Sequence, residues 1–474
     1  MIENTGLKRP LATPAVRFTR FVKRLVERET LGSNTPGLRW HLDFPDSQRS
    51  PWILPGGWVV QGWLVLPESL ADWVGKVEIV ARWGKTFELC HPLSIRRPDV
   101  IEAIFGTETA EHPQVQCGFR FTVPHFVDQF SLFIRLGDDQ SLLTLVEMSH
   151  DHIDKASPPT IKVLEGKQGW LFLDNDTNGS VDQYRGRLRL TDEGISQWQK
   201  YLQGVTQIAN SISAAHAVLV APSKESVMGP HYHPFAEGSS GPIQQLLALP
   251  EARNIVYPQA HLAQLGDGAF IRTDTHWTQQ GAMVATKALA VAMSLDPGAV
   301  DAVFAKDKYK QRKFTGDLGN KFTPERHCNI QTLSTFNFIK YRHFDNCLPN
   351  FGRLMLVVNE QALIPEICLI FGSSSSYSMM NYVCRLFKQV VFVHSAGTLD
   401  PELIKAVNPA YLVVQTNARF VVQVPGVKQS LLELIHEKCA RLSKDERASV
   451  AKRRIDVEPD DVLVHKLNLI PWLV

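Results

Sequence analysis

Two short stretches of the sequence contain the residue types of a nucleophilic catalyst. Asp274 and His276 lie two residues apart in an Asp-Thr-His-Trp run, and Gly372 is followed by four consecutive serines. In such a catalyst the imidazole takes the proton of a serine hydroxyl and the acid fixes the tautomer of the imidazole, whatever their order along the chain. These residue types predict acyl transfer through a serine ester.

The local sequence predicts how these residues are positioned. In an extended segment, residues two apart point to the same face, so Asp274 can orient His276. The apolar run at residues 367–371 predicts a buried strand, and apolar residues recur at helical spacing after the serines. Ser374 is therefore expected where a strand turns into a helix, whose N-terminal N–H groups favour an oxyanion. The serine run lacks the flanking glycines of an ordinary α/β-hydrolase.

The composition is that of a soluble globular protein. The chain has 474 residues, of which 44% are hydrophobic and 21% are charged, and this length suggests two or three domains. The formal net charge of +2 provides no global attraction to nucleic acid. No GxGxxG or P-loop follows a predicted strand, so we expect no nucleotide cofactor. We also expect no nucleic-acid partner. The seven cysteines include no C-x-x-C pair, which favours reduced thiols.

The pattern of apolar runs changes along the chain and predicts the domain organisation. Residues 35–150 contain short strands parted by Pro, Gly and Asp, which predict a small all-β sandwich domain. Residues 151–160 read as a linker. In residues 161–442 strands alternate with helices, which predicts an α/β domain with a parallel sheet flanked by helices and ligand groups beyond the carboxyl ends of the strands. Residues 443–474 form a tail that is expected to pack on the body or on a partner.

The first 34 residues, 1–34, are expected to form a separate segment. Apolar and basic residues interleave at residues 16–28, which predicts a short basic amphipathic helix. We find no signal-peptide h-region and no apolar run of about 18 residues, and so expect a cytoplasmic protein. Peripheral contact with the inner membrane through this helix is one interpretation. Docking on the protein or on a second subunit is the favoured one.

Three runs resemble the SGNH-hydrolase-like domain of alginate O-acetyltransferases and occur in that family's order. The resemblance covers roughly residues 160–440, and its most specific part is the Asp-Thr-His-Trp-Thr block. It implies that Ser374 is the nucleophile, His276 the base and Asp274 the acid that orients it. The sequence departs from the family at Ser373, which stands where the family has Asp or Thr. The matching runs are residues 166–173, 218–224 and 273–282.

Four further residues are candidates for binding substrate. Trp277 beside the base can stack on a sugar ring or wall the pocket. Lys224 matches the family's Pro-x-Lys loop and can hold an anionic sugar or polarise an acyl oxygen; a surface lysine is the alternative. Arg419 resembles the family's acid-plus-Arg segment, with Gln415 in place of the acid. Ser375 neighbours the nucleophile in the serine run.

Two other features compete for a role. His231 and His233 could chelate a metal, but no further ligands accompany them, so we expect no metal. Residues 305–359 are long, basic and aromatic, and include Gly-Asp-Leu-Gly at 316–319. Because loops this long are usually functional or disordered, we expect a partly ordered insertion that lines an acceptor groove.

These observations favour an O-acetyltransferase that acts on a bacterial cell-surface polysaccharide or its precursor. Its partners would be an acetyl donor, a glycan acceptor and other polysaccharide-biosynthesis proteins. One alternative is a glycan acetylesterase. Another is a catalytically inactive SGNH-like protein that binds glycan or partners, which the altered Gly-Ser-Ser turn allows.

Overall fold

The computed structural model divides the chain into two compact units, Met1–Pro159 and Thr160–Val474. The predicted segment 1–34, with its helix at 16–28, and the whole of the predicted linker lie outside the described residues. Among the residues that are described, no helix is both long enough and apolar enough to span a bilayer. The described residues are 37–44, 53–54, 57–106, 111–124, 127, 129–137, 139–149 and 162–473.

The first unit is built from antiparallel strands, which confirms the strand-rich fold predicted for this region. Burial alternates along Gln129–Leu136, as expected where one face of a sheet is covered. A helix at Pro98–Phe105, α1, was not predicted, although Pro98 opens it and a left-handed Gly106 ends it. One sheet contains β1 (Arg39–Phe44), β2 (Ile53–Leu54), β3 (Gly57–Val65) and β6 (Gly118–Val123), and the other contains β4 (Val77–Arg82), β5 (Phe87–Pro92), β7 (Gln129–Leu136) and β8 (Asp139–Ser149).

The second unit contains the sheet that carries the candidate site. Its order is β13-β12-β20-β18-β19-β17-β16. The strands are β9 (Val163–Glu165), β10 (Leu171–Leu173), β11 (Leu188–Leu190), β12 (Ala215–Ala221), β13 (Ile255–Val256), β14 (Tyr309–Phe314), β15 (Cys328–Leu333), β16 (Arg342–Asp345), β17 (Leu354–Val358), β18 (Ile364–Gly372), β19 (Phe387–His394) and β20 (Tyr411–Asn417).

Helices cover the sheet of the second unit, which confirms the predicted α/β class. The helices are α2 (Ser180–Tyr184), α3 (Asp192–Ser211), α4 (Lys224–Tyr232), α5 (Pro242–Leu247), α6 (Gln259–Ala263), α7 (Gln279–Ala292), α8 (Pro297–Phe304), α9 (Gly316–Gly319), α10 (Ser376–Leu386), α11 (Pro401–Val407), α12 (Leu431–Arg441), α13 (Lys444–Arg453) and α14 (Val462–Lys466).

The sheet is mixed, whereas the sequence predicted a parallel one. Strands β13, β12, β20, β18 and β19 pair in parallel, and β17 and β16 add antiparallel pairs at one edge. The connection from β17 to β18 spans only residues 359–363. It is too short for the crossover of a dozen or more residues that parallel strands need, so β17 runs opposite to β18.

Alternating side chains of the central strands build a core on each face of the sheet. Val218 and Val220 of β12 join a cluster with α3, α11 and α12, whereas Leu219 packs on the opposite face with α7, α8 and α10. This alternation follows from the two-residue repeat of a strand. The C-terminal tail packs into the first cluster through Leu467 and Trp472.

Residues 305–359 are not the partly ordered insertion that the sequence predicted. They form the antiparallel pair β14–β15, helix α9 and the edge strands β16 and β17, whose Met355 and Leu356 are buried. The prediction failed because most side chains of β14 are exposed, so this strand has no apolar pattern. The segment is an integral part of the domain.

Candidate active site

Three parallel strands bring polar residues to one edge of the sheet. Strand β20 lies between β12 and β18. At the carboxyl ends of these strands, Lys224 begins the helix after β12, Asn417 is the last residue of β20 and Ser374 follows β18. Ligands of open α/β sheets bind beyond the carboxyl ends of the strands, so a ligand is expected at this edge.

The turn after β18 is tight enough to require Gly372. A Cβ atom on Gly372 would lie 2.3 Å from Ser376 Oγ and 2.8 Å from the ring of Phe392. The turn continues into α10, where the N–H of Ser376 donates to the carbonyl oxygen of Ser373. The serine run therefore occupies the N-terminal end of a helix, as the sequence predicted.

One serine of the run faces the imidazole. Ser374 Oγ lies 2.9 Å from His276 Nε2. The other three hydroxyls donate to buried amide side chains of β20 and are held away from the imidazole. Ser373 and Ser376 donate to Gln415 Oε1 at 2.8 and 2.7 Å, and Ser375 donates to Asn417 Oδ1 at 2.8 Å.

Asp274 and His276 meet in a bend and not in the extended segment that we assumed. Asp274 Oδ1 accepts hydrogen bonds from His276 Nδ1 at 2.7 Å and from the His276 backbone N–H at 2.8 Å. An aspartate that bonds the N–H two residues later makes a local turn. With Nδ1–H donating to the carboxylate, Nε2 is the acceptor for the Ser374 hydroxyl.

The local electrostatics keep Asp274 ionised. Burial by itself would raise the pKa of Asp274, but the hydrogen bonds and the charge of His276 outweigh this effect, and the pKa is held below its ordinary value. The carboxylate is 6% exposed. An ionised acid in this position stabilises an imidazolium.

Asp317 is a second carboxyl group at the site, and the sequence analysis missed its role. Its backbone N–H donates to Asp274 Oδ2 at 2.9 Å, and its own carboxylate accepts the N–H of Thr275 at 2.8 Å and the hydroxyl of the same residue. Gly316 makes this approach possible, since it has a φ of +79° and a Cβ there would lie 2.3 Å from Thr273 O. The Gly-Asp-Leu-Gly turn is the sequence signal, but nothing in the sequence places it beside Asp274.

The two carboxylates predict a pH effect on stability. Burial, and then the charge of Asp274, raise the pKa of Asp317 above its ordinary 3.8. Between pH 3.8 and the raised pKa of Asp317, the folded protein holds a proton that the unfolded chain has lost. The contribution of Asp317 to stability therefore falls as pH rises above 3.8. Asp317→Asn should remove this fall. Urea unfolding of both proteins from pH 4 to 7 measures the difference in unfolding free energy, which we expect to change with pH; a constant difference would contradict the assignment.

Lys224 lines the pocket at the candidate site and is not the surface lysine that was its alternative prediction. The side chain is 2% exposed, and Nζ donates to four backbone carbonyl oxygens. Burial lowers the pKa of Lys224 to about 7, while Glu225 and Asp274 oppose this change. The carbonyl oxygens favour the ammonium, because only that form has three N–H donors. Lys224 therefore fixes the loop that carries Asp274. The acceptors are Leu171 at 2.6 Å, Ile271 at 2.8 Å, Arg272 at 2.9 Å and Asp274 at 3.0 Å.

Trp277 joins the His276 loop to the serine turn. Its indole N–H donates to Ser375 O at 3.1 Å and to Ser378 Oγ at 2.8 Å, and the side chain is 2% exposed. This geometry agrees with a ring that walls the pocket and leaves no exposed face for stacking on a sugar. The contact keeps Ser374 opposite the imidazole.

A pocket opens at the candidate catalytic residues. His276 lines it together with Glu225, Asn417 and the half-buried Arg419, whose guanidinium group lies over the ring of Phe420 at 4.9 Å. Asn417 Oδ1 accepts hydrogen bonds from Ser375 Oγ and from Gln415 Nε2. These bonds occupy the carbonyl oxygen of the Asn417 side chain and leave its amide N–H groups for other partners. Sequence analysis named neither Asn417 nor Glu225, although each adjoins a region that it singled out.

The two histidines of the metal hypothesis do not form a cluster. His233 is buried with its ring against Phe172 and Tyr184, and His231 is exposed. Within the described part of the chain, the group of three potential ligands found is Asp274, His276 and Asp317, whose donor atoms lie within 4.8 Å of one another. All three take part in the hydrogen bonds among residues 274–276 and Asp317 that are described above.

Comparison with known proteins identifies the domain. Residues 163–389 match the family described as the SGNH hydrolase-like domain of the acetyltransferase AlgX. No curated protein matches the chain. This match confirms the resemblance predicted from the sequence.

Several solved structures are also similar to this chain at low identity. The O-acetyltransferase domain of Pseudomonas putida AlgJ is 18% identical, covers 59% of this chain and 99% of its own, and gives a TM-score of 0.36. Bacillus cereus PatB1 is 12% identical, with coverages of 57% and 98% and a TM-score of 0.40. Pseudomonas aeruginosa AlgX is 12% identical, with coverages of 56% and 63% and a TM-score of 0.31. The match to the SGNH hydrolase-like domain family of the acetyltransferase AlgX thus covers residues 163–389, slightly less than half of the chain.

Proposed function

We propose that the protein is an O-acetyltransferase that uses Ser374, His276 and Asp274 to acetylate a bacterial cell-surface polysaccharide or its precursor. The observation that carries the proposal is the continuous hydrogen-bonded path from the Asp274 carboxylate through the imidazole to Ser374 Oγ, beside a pocket that His276 lines. The family match to an acetyltransferase domain supports the reaction class.

The first half-reaction forms an acetyl-enzyme. Ser374 Oγ attacks the carbonyl carbon of the acetyl donor while His276 Nε2 takes the hydroxyl proton. Asp274 stabilises the imidazolium that results. The bond from the acetyl carbon to the leaving group then breaks, and the proton passes from His276 to that group.

The developing oxyanion needs hydrogen-bond donors that are fixed in advance. The N-terminal end of α10 presents backbone N–H groups and the positive end of a helix dipole beside Ser374. Asn417 is the second candidate donor, because its carbonyl oxygen is held by Ser375 and its amide N–H groups remain for the pocket.

The second half-reaction transfers the acetyl group to a sugar hydroxyl. His276 takes the proton of that hydroxyl as its oxygen attacks the acetyl carbon, the bond to Ser374 Oγ breaks, and the proton returns to Ser374. Water can take the place of the sugar, which gives hydrolysis. A bound acceptor favours transfer, since it raises the effective concentration of one hydroxyl at the ester.

The test measures both outcomes in one reaction. The protein is mixed with an activated acetyl ester and with neutral or uronate oligosaccharides, and released acetate and acetylated sugar are quantified. We expect acetylated sugar to increase with acceptor concentration at the expense of free acetate, with both products lost in Ser374→Ala. If acetate release is unchanged by every acceptor and the protein removes acetyl groups from acetylated glycan, it is an acetylesterase and the proposal is wrong.

A further inference from the structure

Glu225 is a buried carboxyl group in the pocket that the proposed mechanism does not use. It is 5% exposed and lines the pocket together with His276 and Arg419. No hydrogen bond from another side chain to its carboxylate is found within the described residues. Burial, opposed by its own backbone N–H and by the charges of Lys224 and Arg419, raises its pKa. A buried acceptor of this kind is costly unless a ligand completes its hydrogen bonds.

The charged groups around the pocket cancel. Four of its lining residues can carry charge: Lys224, Glu225, His276 and Arg419. The positive charge of Lys224 is balanced by the negative charge of Asp274, which lies behind the lining and accepts a hydrogen bond from His276. Glu225 and Arg419 remain for a ligand, one negative and one positive. The pocket therefore has no surplus cation that could neutralise a carboxylate on an acceptor sugar.

We infer that Glu225, Arg419 and Asn417 form a subsite for a neutral, hydroxyl-rich sugar of the acceptor, an inference that rests on the proposed acetyl transfer. The two oxygens of Glu225 accept hydrogen bonds from sugar hydroxyls, as a carboxylate does from a vicinal diol. Arg419 and one amide N–H of Asn417 donate to sugar oxygens, while the other N–H of Asn417 is left for the oxyanion. A uronate would place its carboxylate beside that of Glu225, and the repulsion lowers its affinity.

The experiment compares acceptors and variants. Oligomers of a neutral N-acetylhexosamine and of a uronic acid, matched in length, compete for acetyl transfer by the wild type. Glu225→Gln keeps the shape but loses one acceptor and the charge, and Arg419→Lys keeps the charge but loses the fork of donors. Each should raise the acceptor KM for the neutral oligomer by about ten- to a hundredfold, the size expected for a hydrogen bond to a charged group.

Glu402→Gln is the matched control. Glu402 is the second residue of α11, as Glu225 is of α4, but its side chain is exposed. It should keep the wild-type acceptor KM. The inference is overturned if the uronate oligomer is the better acceptor, or if Glu225→Gln and Arg419→Lys both keep the wild-type KM. The proposed function fails separately, in the wild type itself, if no sugar is acetylated.

Discussion

Ser374→Ala and His276→Ala should each lower turnover of an activated acetyl ester by several orders of magnitude, on the order of 10⁴ to 10⁶. The reason is that the three groups act as a unit: without the serine no acetyl-enzyme forms, and without the imidazole no group takes its proton. The double variant should lose little more. Steady-state ester turnover measures all three, with thermal unfolding to confirm that the variants fold.

Ser375→Ala is the matched control for the position of the nucleophile. The hydroxyl of Ser375 donates to Asn417 and not to the imidazole. Its loss should therefore cost no more than about tenfold, the effect of a weakened supporting hydrogen bond. If Ser374→Ala keeps wild-type turnover while Ser375→Ala loses it, the assignment of the nucleophile is wrong.

Lys224→Met should reduce the free energy of unfolding by about 3–5 kcal/mol. The reason is that buried carbonyl oxygens lose a charged donor and are left without a hydrogen bond to compensate for their removal from water. Four carbonyl oxygens share the ammonium, and one of them belongs to Asp274. Ester turnover should fall as well, since the loop that carries the acid and the base loses its anchor. Denaturant unfolding gives the stability, measured at a fixed pH of 7.

Lys405→Met provides the comparison for that loss. Lys405 is an exposed lysine of α11, so its replacement should change stability by less than about 0.5 kcal/mol. If Lys224→Met is as stable as Lys405→Met, Lys224 does not anchor the loop.

The sequence predicted the parts of the site that lie in short local patterns. The Asp-x-His run and the strand–serine–helix turn are readable because each is set by neighbouring residues. In the structure Asp274, His276 and Ser374 form one hydrogen-bonded path. The roles of the three residues in catalysis stay a prediction.

Other parts of the site depend on contacts between distant segments. The approach of Asp317 to Asp274 requires a left-handed glycine in a segment that the sequence treated as an insertion. Lys224 was singled out by its residue type, but its environment comes from strand β10 and from the loop that contains Ile271. The fold class was predictable because strands alternate with helices. The antiparallel edge was not, since it follows from the length of one connection.

The most direct test of the account is to identify the residue that becomes covalently modified. A serine-directed phosphonate fluoride is incubated with the protein, which is then digested and analysed by mass spectrometry. The account predicts one adduct per chain, located on Ser374, absent from Ser374→Ala and strongly slowed in His276→Ala. Modification of a different serine, or no modification of the folded wild-type protein at any pH, would contradict it.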